Sequence, residues 1–127
     1  MIPALQALLL LAAQPLDCED PRNQAEMNEC AALAFQDADV ALNETWADVL
    51  AHVRAADREG APGFDDRPDG ETMLRRAQRA WVTFRDAHCT VAGYEARGGT
   101  MESMVYDGCR AQATRERIEQ LRGLIPE

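Results

Sequence analysis

Four cysteines, Cys18, Cys30, Cys89 and Cys109, follow an apolar leader in a chain otherwise patterned for helices. An even cysteine count behind a signal-like segment reads as a disulfide framework formed in an oxidising compartment. Cys89 stands nine residues before Gly98, and Cys109 stands ten after Gly99. If Gly98-Gly99 turns an antiparallel helical hairpin, both sulfurs reach the same height and a Cys89–Cys109 bridge clamps the hairpin. Cys18 and Cys30 are then left for each other. A helix starting at Pro21 rises about 13 Å before Cys30, a distance the preceding residues can fold back over. A zinc site would need Cys-x-x-Cys or Cys/His clusters, and none is written here. No metal and no cofactor is expected.

The leader, Met1 to Ala13, reads MIPALQALLLLAA. It is shorter than the roughly 20 residues that span a bilayer and fits the apolar region of a signal peptide. Pro15-Leu16-Asp17 before Cys18 lacks the small residue that precedes a lipidated cysteine. The expected mature form is therefore soluble, periplasmic or secreted, with no stable membrane anchor. The 127 residues make one domain, expected over 18–124. Net charge is −9 and every basic residue is arginine. That balance argues against nucleic acid, whose phosphates need a basic face, and suits a cationic protein partner.

Asp20-Pro21 has the chemistry of a helix start. From there to about Asp57 no Gly or Pro intervenes, and Phe35, Ala38, Leu42, Trp46 or Val49, and Val53 recur at helical steps. Arg58 to Gly70, rich in Gly, Pro and Asp, reads as a loop. It is not a calcium loop, because Arg67 and Arg76 fall where oxygen ligands belong. Asp69 caps a second helix whose expected seam is Leu74, Ala77, Trp81, Phe84, His88 and Val91. Gly98-Gly99 ends it, and Thr100 is the expected cap of a third helix with Met101, Met104, Val105, Ile118, Leu121 and Leu124 as its apolar positions. Met73, Met101 and Met104 read as core or turn residues. The fold class is all-α, a disulfide-stapled antiparallel bundle of three main helices. Within it, Trp81, Phe84 and Val91 are expected to pack near Val105 and Ile118.

Enzyme readings find little support. His52 and His88 are the only histidines, and no nucleophile elbow, phosphate loop or dinucleotide fingerprint occurs. A bridged Cys89 is no nucleophile. The notable polar cluster gathers Arg79, Arg85 and Asp86 near Trp81 and Phe84 with Tyr106 and Arg110 on the next helix. It reads first as structural, since arginine packs its stem over rings and hydrogen-bonds carboxylates.

A family resemblance rests on several segments: QAEMNEC from Gln24 to Cys30, LRRAQRAWVTFRDAHC from Leu74 to Cys89, GGTMESM from Gly98 to Met104, Cys109-Arg110, and TRERIEQL from Thr114 to Leu121. The order resembles the LprI-like lysozyme-inhibitor domain, a family of small secreted bacterial proteins. The resemblance implies an all-helical, disulfide-bonded envelope domain, with inhibition of a cationic lysozyme as its expected activity. It fixes no inhibitory residue. Two contacts are expected candidates: the acidic loop with Asp65, Asp66 and Asp69, and the stiff turn Gly98, Gly99 and Thr100. The alternatives are an envelope scaffold without lysozyme activity, or a peptidoglycan-fragment binder in which an exposed Trp46 or Trp81 stacks on sugar.

Overall fold

The computed structural model describes residues 14–60 and 63–127; the leader read from Met1 to Ala13 lies outside the described residues. Among the described residues three α-helices follow in order, α1 (Gln24–Glu59), α2 (Gly70–Gly93) and α3 (Glu102–Arg122), with a 3-10 turn (Tyr94–Ala96) between α2 and α3. No strand occurs among the described residues. The architecture is an all-α antiparallel bundle closed by two disulfides, Cys18–Cys30 and Cys89–Cys109, with Cα atoms 5.5 and 5.4 Å apart.

Helix α1 runs for 36 residues, about 54 Å, because nothing between Asn23 and Glu59 breaks it. Its start is Asn23, not Asp20. The Asn23 side chain accepts from the Glu26 N–H at 2.9 Å, and Glu26 accepts in turn from the Arg22 N–H at 3.2 Å. Together the two side chains satisfy two backbone donors at the helix start, Glu26 reaching back one residue past the cap. Asp20 is spent on a preceding turn, its N–H donating to the Asp17 carbonyl at 3.2 Å, as the chain doubles back to bridge Cys30.

Asp69 caps α2 as its sequence implies, accepting from the Thr72 N–H at 2.8 Å. A second carboxylate helps: Asp57 of α1 accepts from the N–H groups of Gly70 and Glu71 at 2.8 and 3.0 Å. That docking needs glycine. A Cβ on Gly70 would lie 2.8 Å from Asp57 Oδ1 and 2.9 Å from Val53 Cγ1. Thr100 does not cap α3. Met101 takes that place with a helix-like backbone (φ −90, ψ −11) and no side-chain cap. The chain enters α3 directly from a turn, and Glu102 takes a backbone donor instead, accepting from the Gly98 N–H at 3.3 Å.

The core is small: Leu42, Val49, Leu74, Ile118 and Leu121, with Trp46, Val53, Trp81 and Ile125 packed around it. On α3 the buried positions are Ala111, Thr114, Ile118 and Leu121, whereas Met101 and Leu124 are exposed. Most of the expected seam of α2 faces outward. Leu74 is buried and Trp81 packs against the core, but Ala77 and His88 are exposed, and Phe84 and Val91 are 62% and 67% exposed and do not pack against α3. The reason is rotational. Cys89 must face α3 to reach Cys109, and at about 100° per residue Phe84 then points about 140° away and Val91 about 160° away. Arg85 and Gly93, four residues either side of Cys89, turn inward and are buried. Met73 is exposed for the same reason.

Arg54 and Arg75 converge on Glu71 at 2.6 and 3.1 Å, tying α1 to the first turn of α2. Hydrogen bonds from Arg54, then from Arg75, pull the Glu71 carboxyl from 4.5 down to about 2. A carboxyl lowered on folding stabilises the fold above its unfolded value, and that contribution disappears as pH falls through the folded one. The melting temperature of the native chain should therefore fall more steeply between pH 4.5 and about 2 than that of Glu71→Gln. Equal slopes in thermal melts across this window would refute the assignment.

Candidate functional site

Facing α1, α2 and α3 build an alternating stack of arginines and rings. Arg110 Cζ lies 4.4 Å from the Tyr106 ring centre and 3.8 Å from that of Phe35. Arg85 Cζ lies 5.1 Å from Phe35 and 4.9 Å from Trp81, and Arg117 Cζ lies 5.8 Å from Trp81. Arg85 is buried, with Nε donating to Asp86 at 2.9 Å and Nη1 to the Thr114 hydroxyl at 3.4 Å. Arg110 donates to Asp107 at 2.6 Å, while its Nε is buried without a hydrogen-bond partner against the ring stack. Burial pushes the Arg117 guanidinium below its usual pKa.

Of the cluster read from the sequence, Trp81, Arg85, Asp86, Tyr106 and Arg110 come together. Arg79 and Phe84 do not: both face outward, and Phe84 stacks on His88 with ring centres 5.3 Å apart. Phe35 is the missed member. Its place on the apolar stripe of α1 is visible in the sequence, but nothing there says that two arginines will cover it. The ring faces are occupied by guanidinium groups, so this stack is an internal wall. Trp46 and Trp81 both pack against the core.

The turn between α2 and α3 is held from three sides. The Cys89–Cys109 bridge lies behind it. Gly98 takes φ +78, the left-handed region that favours glycine, and the Gly99 N–H donates to the Ala96 carbonyl at 2.8 Å. Asn28 of α1 reaches across to donate to the Thr100 carbonyl at 2.8 Å, and Gln24 donates to Asn28 at 2.8 Å. Arg97 lies over the Tyr94 ring at 4.2 Å. It is the one basic residue between Cys89 and Arg110, and with Thr100 and Met101 it is exposed.

The acidic loop is largely self-satisfied. Asp65 pairs with Arg67 at 2.6 Å and accepts from the Arg67 N–H at 2.9 Å. Asp69 is engaged as the α2 cap. Asp66 stands exposed beside them. An open apolar groove of about 520 Å³ adjoins this end, lined by residues including Val53, Met73, Leu74 and Ala77. The two candidate contacts lie at opposite ends of the bundle: Thr100 is bonded to Asn28, and Gly70 to Asp57. About 43 Å of helix separates those two α1 residues.

Comparison with known proteins gives a consistent answer. The family described as lysozyme inhibitor LprI matches residues 18–121. An uncharacterized protein of Rhizobium meliloti (strain 1021) is 40% identical over 129 residues, covering 97% of this chain and 93% of its own length. The crystal structure of a DUF1311 family protein from Pseudomonas putida KT2440 superposes with a TM-score of 0.65 at 26% identity, covering 85% of this chain and 96% of that one.

The ring stack and the outward face of α2 make opposite predictions for two phenylalanines. Phe35→Ala strips the ring shared by Arg85 and Arg110 and should cost about 3 kcal/mol. Phe84→Ala, in dilute protein, should change stability by less than about 0.5 kcal/mol. Urea melts decide it; a larger loss at Phe84 would overturn the orientation of α2.

Proposed function

The chain belongs to the LprI lysozyme-inhibitor family, and from that premise we propose that it is exported, sheds residues 1–13 as a signal peptide, and acts as a periplasmic or secreted lysozyme inhibitor through its domain over 18–124. The observation that carries the reading is the braced α2–α3 turn. Lysozymes cleave sugar chains between two carboxyl groups in an open cleft. A protruding turn with one exposed guanidinium, Arg97, beside the Thr100 hydroxyl offers donors to such carboxylates. Its brace of one disulfide and three helices leaves little freedom to lose on binding. The remaining surface supplies most of the net charge of −9, which speeds encounter with a cationic enzyme.

Asp65, Asp66 and Asp69 fit this role less well. Two of the three carboxylates are committed within the loop, and the loop is too distant to share a cleft with the turn. The sugar-binding alternative is weakened by the packing of both tryptophans against the core.

The test is a wall-lysis assay with the purified, oxidised chain and several cationic lysozymes. The native chain should inhibit. Arg97→Glu should raise the inhibition constant by at least about tenfold, mainly through faster dissociation, while Asp66→Asn should change it less than about twofold. Lysozyme binding without inhibition, or equal binding to an unrelated basic protein, would reduce the effect to general charge attraction. Equal potency of Arg97→Glu would move the contact elsewhere.

A further inference from the structure

Helix α2, with the first residue of the 3-10 turn that follows it, carries a second apolar seam that the bundle does not use. Met73, Ala77, Ala80, Phe84, Ala87, Val91 and Tyr94 follow one another at steps of four and three residues, and all seven are exposed. On the helix they lie about 120–180° from Cys89, opposite the face that the disulfide turns inward. Alternating four- and three-residue steps over three heptads are the repeat by which one helix packs along another. A 3.5-residue repeat drifts slowly round a straight helix, so the surface it fits is a second helix wound along it.

We propose that this face pairs with the same face of a second copy, in an antiparallel two-helix seam across a twofold axis. The charge pattern selects this partner and this direction. Between Glu71 and Glu95 the charged residues are Arg75, Arg76, Arg79, Arg85 and Asp86. Arg75 is paired with Glu71, and Arg85 is buried beside Asp86. The exposed charge is therefore Arg76 and Arg79 in the first half of the helix, the partly exposed Asp86 carboxylate in the second, and Glu95 just past its end. Antiparallel pairing sets these arginines toward the end of the other copy that carries Asp86 and Glu95, whereas parallel pairing stacks arginine on arginine. The strip contributes almost nothing to the net charge of −9, so two acidic copies meet where they repel least. A cationic lysozyme has no charge complement on it.

A twofold contact is self-complementary by construction: Phe84 near the centre meets its own counterpart, and Met73 meets Tyr94. The two α2–α3 turns then point away from each other at opposite ends of the pair. Each copy keeps Thr100 clear of the seam, with Arg97 at its edge beside Tyr94. The pairing does not depend on the lysozyme reading and is tested separately from it.

Sedimentation velocity of the full oxidised chain from micromolar to near-millimolar concentration should show the mass moving from monomer to twice that value. The double variant Phe84→Glu/Val91→Glu should remain monomeric throughout. Its far-ultraviolet dichroism and dilute-solution melting temperature should be unchanged, because both residues are exposed in the single copy. Under mild oxidation Phe84→Cys should cross-link to itself and Met73→Cys should not. A native chain that stays monomeric, or a double variant that pairs like the native chain, overturns the seam. Self-linking of Met73→Cys overturns the antiparallel direction. A monomeric native chain whose lysozyme inhibition is lost in the double variant would give the face to lysozyme, and overturn self-pairing.

Discussion

The Cys89–Cys109 bridge is the constraint from which the rest of the bundle follows. Closing a loop of 20 residues removes about 3 kcal/mol of freedom from the unfolded chain, but its larger consequence is directional. Once Cys89 faces α3, the rotation of α2 is no longer negotiable by hydrophobicity. Residues a full turn away on the same face, Arg85 and Gly93, go inside whatever their polarity, and residues half a turn away go outside. Arg85 is buried and Phe84 exposed for that single reason. Gly93, also turned inward, admits the start of α3: a Cβ there would already stand 3.4 Å from the Glu102 carbonyl oxygen.

An arginine forced inside has to be accommodated. A buried, unpaired charge costs several kcal/mol, and the bundle meets that cost with rings and carboxylates rather than by excluding the residue. Each guanidinium–ring contact contributes about 0.5–2 kcal/mol depending on burial. Phe35 serves Arg85 and Arg110 at once. Asp86, Asp107 and Thr114 take up donors that the rings cannot. Among the described residues the central apolar cluster holds only five buried side chains, so this stack substitutes for part of a larger hydrophobic interior. It also joins all three helices, which the Cys89–Cys109 bridge alone does not, since it links α2 and α3 only.

Much of this was legible in the residues. Gly and Pro punctuation located three helices, and the symmetry about Gly98-Gly99 anticipated which cysteines meet. Asp69 announced itself as a cap. What stayed hidden was the rotation of α2. Its sequence places apolar residues on two faces, Leu74 and Trp81 on one, Phe84, Ala87 and Val91 on the other, and periodicity cannot rank two stripes of similar quality. By periodicity the seam through Phe84 and Val91 is as good a core stripe as the other, although the expected bridge at Cys89 excludes it by geometry. Helix starts at Asn23 and Met101 were missed because side-chain capping rules compete with chain reversals made elsewhere, at the Cys18–Cys30 bridge and in the Gly98-Gly99 turn. Phe35 was placed on the right stripe, but its two arginine neighbours come from sequence 50 and 75 residues away, beyond the reach of local pattern.

The candidate contacts also separate for a physical reason. A 36-residue helix is longer than either partner, so it carries a distinct end for each connection. At one end both disulfides and the Asn28–Thr100 bond converge, and the α2–α3 turn is fixed in shape. At the other, Asp57 and Asp69 organise the start of α2, but the loop between them relies on its own Asp65–Arg67 pair. Preorganised contacts bind through shape and slow dissociation, while loosely tied charges act at a distance on encounter. One molecule can thus keep a stiff, arginine-bearing tip for recognition and leave acidity elsewhere for attraction. The outer face of α2, apolar along its seam, remains available for neither purpose and belongs to a contact of a different kind.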